Sequence, residues 1–165
     1  MNAKKTKQIV VLATGGTIAG LAANPAKPQN YVSGKLKVDD LLSGFALEEA
    51  QILTEQIAQI DSKDMTFAVL QNLLARTAHW LAQDNVQGVV ITHGTDTIEE
   101  TAYFLQTILK PVKPIALTCA MRAANAPDAD GPSNLKDALS WVQAGDSHGV
   151  SVVCAGQIHA GNAVQ

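Results

Sequence analysis

The chain has 165 residues, of which 47% are hydrophobic, so it is long and apolar enough to fold around one substantial core. Its net charge is −3, with acidic and basic residues mixed. The basic cluster Lys4, Lys5 and Lys7 has no interleaved aromatic residues, which argues against a nucleic-acid-binding arm. No apolar stretch approaches a membrane span, and the polar N-terminal residues do not resemble a signal peptide. We therefore expect no nucleic-acid or membrane partner, and the compartment, cytoplasm or periplasm, stays open.

In chain order, the first predicted strand covers residues 8–14 and runs into a turn with two glycines. A loop at 20–37 follows, which is rich in Pro, Gly and Asn and too long to be a simple connector. The second predicted strand covers 50–60. A helix at 66–83 comes next, because its apolar side chains recur on one stripe: Phe67, Leu70, Leu74, Ala78 and Leu81.

The second half of the chain repeats this alternation. A strand at 88–92 leads into a helix at 97–109, whose first residues have the spacing of a helix start and which Pro111 ends. The remaining predicted elements are a strand at 114–118, a second long loop at 120–134, a short helix at 135–143 before Gly145, and a strand at 149–154.

Strands that alternate with helices imply crossover connections and a mostly parallel sheet. The strands are continuous apolar runs, as expected when helices cover both faces of the sheet. The sequence therefore predicts one doubly wound α/β domain over residues 1–165, with a mostly parallel sheet and helices on both faces. The two long loops are left without assigned elements.

The two cysteines, Cys119 and Cys154, each lie in or beside an apolar strand-like run. The favoured interpretation is two buried thiols that pack as small hydrophobic side chains. A disulfide would require the fold to bring both strands together, which sequence spacing does not decide. Without a Cys-x-x-Cys pair or a local cluster of His and Cys, we expect no structural zinc site. No other metal and no cofactor is expected.

Thr17 follows the first predicted strand behind Gly15 and Gly16. Glycines let a backbone approach a ligand closely, and backbone amides at such a turn can stabilise the oxyanion formed when a hydroxyl attacks a carbonyl. Because free threonine is a poor nucleophile, Thr17 needs a partner, and Tyr31 qualifies if the first long loop folds back as a lid. A tight turn with Thr17 as a cap, or a phosphate-binding turn, remains the alternative.

A second hydroxyl-bearing turn, Thr95-Asp96, follows the strand at 88–92 and begins a helix. Backbone amides at that position favour an anionic group, and Asp96 can bind an ammonium group, so an amino acid is a natural ligand. Asp96 as a simple helix cap is the alternative. His93, just before this turn, suits a core hydrogen bond as well as it suits catalysis, and both interpretations stay open.

The two turns resemble the signatures of the bacterial-type L-asparaginase family, which includes asparaginases and glutaminase-asparaginases. Residues 13–20 (ATGGTIAG) are similar to its first signature and residues 91–102 (ITHGTDTIEETA) to its second. Three further segments fall in family order: 61–65 (DSKDM), 120–122 (AMR) and 130–135 (DGPSNL). The resemblance covers essentially the whole chain as an N-terminal domain.

This resemblance implies hydrolysis of L-asparagine, or of glutamine, to the acid and ammonia. It implies that Thr17 is the nucleophile that forms an acyl-enzyme, and that Tyr31 assists from a mobile lid loop. Thr95 would position water or polarise the amide. The implied substrate-binding residues are Gly16, Ser62, Lys63 and Asp96, with Asp96 on the α-amino group and Ser62 on the α-carboxylate.

The chain departs from the family pattern in two ways. Lys63 stands where the best-known members carry an uncharged polar or an acidic residue, and it either strengthens carboxylate binding or is a solvated charge. We expect the family's smaller C-terminal domain to be absent, and the lysine that pairs with the family's second threonine to fall at or past the C-terminus. We therefore expect an asparaginase domain whose activity alone is absent or very weak, whereas full-length members form homotetramers. The alternative is a truncated, non-catalytic domain that at most binds aspartate or asparagine weakly.

Overall fold

The computed structural model describes residues 6–25, 27 and 29–164. Lys4 and Lys5 of the basic cluster lie outside these residues. The strands are β1 (Lys7–Gly15), β2 (Leu21–Ala22), β3 (Tyr31–Val32), β4 (Ala50–Ile60), β5 (Val86–Thr92), β6 (Ile115–Thr118), β7 (Val150–Cys154) and β8 (Gln157–Ala160). The α-helices are α1 (Val38–Leu41), α2 (Phe67–Leu81), α3 (Ile98–Leu109) and α4 (Gly131–Ala144). Short 3-10 turns occupy Thr17–Ala19, Ser62–Asp64 and Thr95–Thr97.

Six of the strands form one sheet in the order β4-β1-β5-β6-β7-β8. The pairs from β4 to β7 are parallel, and only the edge pair β7–β8 is antiparallel. The strand order reverses direction at β1, because β4 lies on one side of it and β5 on the other. Open α/β sheets bind ligands at such a switch point, outside the carboxyl ends of the strands.

Helices cover both faces of the sheet. On one face, Leu73 of α2 and Leu105 of α3 pack in a cluster with alternate residues of the central strands, including Leu12 and Ile91. On the other face, α4 contributes Leu139 and its apolar neighbours to a second cluster. Because the central strands are apolar at successive positions, they fill both clusters at once. The predicted doubly wound α/β fold is confirmed.

The segments 20–37 and 120–134, left as loops in the sequence prediction, contain structure of their own. The first segment carries the antiparallel pair β2–β3. The second ends in the first turns of α4, which begins at Gly131 rather than at the predicted 135. Pro132 suits this first turn, where its missing amide proton costs no helical hydrogen bond. The strand β8 was also missed, because its four residues are exposed and carry no continuous apolar run.

In the described part of the chain, no helix is both long enough and apolar enough to cross a membrane.

Candidate active site

The two threonine turns meet at the carboxyl ends of β1 and β5. These strands are neighbours, with Ala13 paired to Thr92, so both turns leave the sheet at the same edge. A Cβ placed on Gly16 would lie 2.5 Å from the Cα of Gly94, so the two backbones are in direct contact. Thr14 adds a link between the strands by donating from Oγ1 to the Thr92 carbonyl oxygen at 3.0 Å. Glycine at both contact positions is therefore what lets the two turns share one site.

Thr17 and Tyr31 form the closest pair of candidate catalytic groups. The Oγ1 of Thr17 lies 2.8 Å from the phenolic oxygen of Tyr31, with either oxygen able to donate. Thr17 is buried, whereas Tyr31 is half-buried on β3. The Tyr31 ring packs against Gly20, where an added Cβ would lie 2.8 Å from the ring. The side chain that the sequence predicted as a partner for Thr17 does lie beside it.

The hairpin that carries Tyr31 is held by the second long segment. The Asn125 side chain accepts from the Ala22 amide at 2.9 Å and donates to the Ala22 carbonyl at 2.8 Å. The amide of Ala124 donates to the carbonyl of Gly20 at 2.9 Å. Asn125 was not predicted from the sequence to belong to the site. The only indication in the sequence was an asparagine in a polar loop, because an asparagine side chain can bond both the amide and the carbonyl of one backbone residue.

The backbone amides at the first turn are only partly available to a substrate. Gly15 and Gly16 have φ values of 115° and 76°, which glycine adopts without strain. The Gly16 amide donates to the Ile60 carbonyl at 2.8 Å and is thereby occupied. Among the described residues, the Thr17 amide has no hydrogen-bond acceptor. The Thr17 amide is therefore available to face an oxyanion.

Ser62 links the segment after β4 to the second turn. Its side chain is buried, and its Oγ accepts from the Asp96 amide at 3.1 Å. Its carbonyl accepts from the Thr97 hydroxyl at 2.9 Å. A Cβ on Gly94 would collide with the Ser62 side chain, so glycine is needed there as well. Among the described residues, the Ser62 hydroxyl proton has no hydrogen-bond acceptor, so it is available to donate to a ligand.

The carboxylate of Asp96 is exposed at the second turn. The N-cap of α3 is Thr97, which makes no side-chain capping bond, and the helix begins after the 3-10 turn. Among the residues described, none donates a hydrogen bond to the Asp96 carboxylate. The simple capping role left open by the sequence is therefore wrong, and the carboxylate remains available to an external cation.

Lys63 is exposed and pairs with Asp61, with 3.2 Å between Nζ and Oδ2. Partial burial works against ionisation of Asp61, but hydrogen bonds from Lys63 outweigh it and lower the pKa of the Asp61 carboxyl. The hydrogen bond to Asp61 raises the pKa of Lys63, and the charges of Asp61, Asp64 and Asp96 add to this effect. The Lys63 ammonium is thus held in an ion pair with Asp61. Lys63 also lines an open cleft of about 620 Å³, which Tyr31 lines as well.

Thr95 lines a cavity that does not include Thr17. It is half-buried at the start of its 3-10 turn and lines a cavity of about 250 Å³ that Cys119, Met121 and Cys154 also line. Within the described residues, Thr95 makes no hydrogen bond to Thr17 or Tyr31. The structure therefore brings the backbones of the two turns into contact, while Thr95 lines a cavity that Thr17 does not line.

His93 is fully buried behind the second turn. Its Nδ1 lies 2.7 Å from the Gly94 carbonyl oxygen, and its Nε2 lies 3.1 Å from the Thr101 hydroxyl. Burial lowers the pKa of the His93 imidazole, against a smaller opposing effect of the Gly94 carbonyl. With both ring nitrogens bonded inside the protein, His93 anchors the turn to α3. Of its two interpretations, the geometry supports the core hydrogen bond.

No group of three or more His, Cys, Asp or Glu side chains within residues 6–25, 27 and 29–164 is arranged to hold a metal ion.

Comparison with known proteins places these features in a family. The family described as "Asparaginase, N-terminal" matches residues 8–165. The chain is 40% identical over 148 residues to L-asparaginase 2 of Bacillus subtilis strain 168, covering 88% of this chain and 40% of that protein. It is 40% identical over 151 residues to the glutaminase-asparaginase of Pseudomonas fluorescens biotype A, covering 90% and 42%.

A solved structure supports the same relationship. The crystal structure of a probable cytoplasmic L-asparaginase from Campylobacter jejuni matches with a TM-score of 0.86 at 40% identity, covering 94% of this chain and 48% of that one. The chain thus spans less than half the length of the relatives it matches. The resemblance predicted from the two threonine turns is confirmed: the chain belongs to the asparaginase family and matches its N-terminal domain.

Proposed function

We propose that this chain carries the acylation half of an amidohydrolase site that converts L-asparagine to L-aspartate and ammonia. The hydrogen bond of 2.8 Å between Thr17 and Tyr31 is the observation that carries the proposal. It joins a buried hydroxyl to a partner that can share its proton, at the ligand-binding edge of the sheet. Because the chain spans less than half of its relatives, the activity, the substrates and a homotetrameric assembly are proposed for the complete protein.

In the first step, the Thr17 hydroxyl attacks the side-chain carbonyl carbon of asparagine. Its proton passes toward the Tyr31 oxygen, and a tetrahedral intermediate forms. The Thr17 amide, which has no other acceptor among the described residues, supports the developing oxyanion. As Tyr31 passes a proton on to the amide nitrogen, collapse of the intermediate breaks the C–N bond, expels ammonia and leaves an aspartyl ester on Thr17. Water then hydrolyses this ester to aspartate and restores the Thr17 hydroxyl.

Substrate binding is assigned to the residues around the second turn. The Asp96 carboxylate is exposed and binds the α-ammonium group by charge attraction. The Ser62 hydroxyl keeps its proton to donate to the α-carboxylate. Lys63 adds positive charge near that carboxylate but stays paired with Asp61, so we assign it attraction rather than direct contact. Gly16 provides the close approach of backbone to substrate.

Thr95 is assigned to the deacylation half of the reaction. A hydroxyl in this position would orient the water that cleaves the ester or polarise the amide. It lines the cavity beside the turn and has no hydrogen bond to Thr17 among the described residues, so it acts on the substrate side rather than on the nucleophile. Glutamine is proposed as a second substrate. It carries the same α-ammonium and α-carboxylate groups as asparagine, and its side-chain amide lies one methylene farther from them.

A domain that binds aspartate or asparagine weakly without turnover is the competing proposal. The exposed Asp96 and the available Ser62 proton favour it, because both serve binding without any need for catalysis. The two proposals differ in their dependence on Thr17. Binding alone requires only the second turn, whereas hydrolysis requires the Thr17 hydroxyl.

The test compares aspartate formation and ammonia release by the purified protein with those of Thr17→Ala. We expect slow turnover by this chain alone and none above background in its Thr17→Ala variant, with aspartate binding retained in both. Thr107→Ala is the matched control, because Thr107 is an exposed threonine on α3 outside the site. Equal aspartate formation by Thr17→Ala and the unmodified protein would remove Thr17 from the nucleophile role. Binding without turnover in all three proteins would favour the competing proposal.

A further inference from the structure

We propose that Cys119 and Cys154 form a reversible dithiol–disulfide pair at the carboxyl ends of β6 and β7. This modification site lies beside the Thr95 turn and stands independently of the proposed hydrolysis. Both cysteines are free thiols in the structure. They belong to the same apolar cluster on the α3 side of the sheet, and both line the cavity that Thr95 borders.

Strand register brings the two thiols together. The parallel pairing of β6 with β7 runs through Ile115–Val150, Ala116–Ser151 and Leu117–Val152. Continued by two residues, the same register sets Cys119 opposite Cys154, on the face that Leu117 and Val152 share. Opposed residues on neighbouring strands lie about 4.8 Å apart, within the Cα separation that disulfides accept.

A buried asparagine holds the two strand ends at this spacing. The Asn134 side chain donates to the Cys119 carbonyl at 3.0 Å and accepts from the Ala155 amide at 2.9 Å. Asn134 lies on α4 and is itself buried. Its amide therefore bridges the backbones next to both sulfur atoms.

The two thiols differ in their access to an oxidant. Cys154 is half-buried, whereas Cys119 is buried. Burial, the neighbouring Cys154 and the charge of Asp130 raise the pKa of the Cys119 thiol to about 12. Since the thiolate is the reactive form, Cys154 reacts first and Cys119 resolves the product.

The chemistry balances with a peroxide as the oxidant. The Cys154 thiolate attacks one peroxide oxygen, which gives a sulfenic acid and releases hydroxide that takes up one proton. The Cys119 sulfur then attacks the sulfenic sulfur, the S–S bond forms, and the sulfenic oxygen leaves as water with the Cys119 proton. Two thiols and one peroxide thus become one disulfide and two water molecules, and a dithiol reductant reverses the change.

The test treats the reduced protein with hydrogen peroxide and blocks the remaining thiols with N-ethylmaleimide after denaturation. Intact mass should show both thiols lost together from a monomer, with the mass of two hydrogen atoms removed and no maleimide added. Cleavage after Arg122 and Lys136 puts the cysteines on separate peptides, so a linked peptide identifies the bond. Dithiothreitol should restore two maleimide-reactive thiols.

Single variants test the order of reaction. In Cys119→Ala, Cys154 should react with maleimide under native conditions at least about tenfold faster than Cys119 does in Cys154→Ala. Neither variant should form an intramolecular bond. Independent loss of the two thiols, or oxidation only to disulfide-linked dimers, would overturn the proposal. If Cys119→Ala does not fold, the linked peptide from the unmodified protein decides the matter by its presence or absence.

Discussion

Replacement of Gly16 by alanine tests the direct contact between the two threonine turns. Gly16 has φ 76° and ψ −174°, a backbone conformation in which a non-glycine residue costs about 1–3 kcal/mol. Its added Cβ would also lie 2.5 Å from both the Cα and the amide nitrogen of Gly94. These are backbone atoms, which cannot turn aside as a flexible side chain does, so overpacking adds about 1–3 kcal/mol.

The expected loss in free energy of unfolding for Gly16→Ala is therefore about 2–6 kcal/mol. Gly44→Ala is the matched control, because Gly44 also has a positive φ of 88° but no atom within 4 Å of the added Cβ. It carries the conformational cost alone, about 1–2 kcal/mol.

Urea unfolding followed by circular dichroism measures both variants against the unmodified protein. The difference between the two losses isolates the contact of Gly16 with Gly94 from the cost of a positive φ. If Gly16→Ala lost no more stability than Gly44→Ala, the turns would not touch and the shared site would lose its structural basis.

Three further predictions concern the lid, an ion pair and the core. Tyr31→Phe keeps the ring against Gly20 but removes the hydroxyl bonded to the proposed nucleophile; we expect aspartate formation to fall at least about tenfold with a loss in stability of no more than about 1.5 kcal/mol, and unchanged turnover would contradict this. The hydrogen bond from Arg76 is the main cause that lowers the pKa of the Glu55 carboxyl. The stability that this interaction gives to the fold is therefore fully present above the unfolded-state pKa of Glu55 and is lost as the pH falls through its folded-state pKa. Glu55→Gln should therefore lower the free energy of unfolding by about 1 kcal/mol at neutral pH, a value discounted for the partial exposure of the pair, and by less in acid. If the difference in urea midpoint between the variant and the unmodified protein did not depend on pH, the ion pair would not be the source of this stability. Leu105→Ala, at a fully buried site on α3, should cost about 2–5 kcal/mol in urea unfolding, whereas Ile108→Ala, 56% exposed on the same helix, should cost far less, and equal losses would contradict the assigned packing.

The sequence predicted the elements that depend on local pattern. The strand Ala50–Ile60 was predicted to the residue, and α2 and α3 were predicted within two residues at each end. Long apolar runs and a regular stripe leave little choice of conformation, because each buries its apolar face in only one way. Where the apolar pattern is short or missing, as in β8 and in the start of α4 at Gly131, the prediction failed.

The candidate site also has parts that the local sequence predicted and parts that it did not. Thr17 and Asp96 were recognisable because each follows an apolar strand within a few residues, and turns after parallel strands meet at one sheet edge. The engagement of the Gly16 amide by Ile60 was not predictable, and neither was the pairing of Lys63 with Asp61. The first joins residues that are distant in sequence, and the second depends on the side-chain conformation at one 3-10 turn.

The sequence by itself determined that this chain is an α/β domain of the asparaginase family with two hydroxyl-bearing turns. It did so because hydrophobic periodicity and short signatures are properties of neighbouring residues. Only the tertiary structure decided that Gly16 and Gly94 touch, that the Tyr31 oxygen lies 2.8 Å from the Thr17 hydroxyl, and that Thr95 lines a cavity with Cys119 and Cys154. The contact between Gly16 and Gly94 joins residues that are 78 positions apart in the sequence. Strand order and backbone packing determine their distances, and no local pattern in the sequence records either.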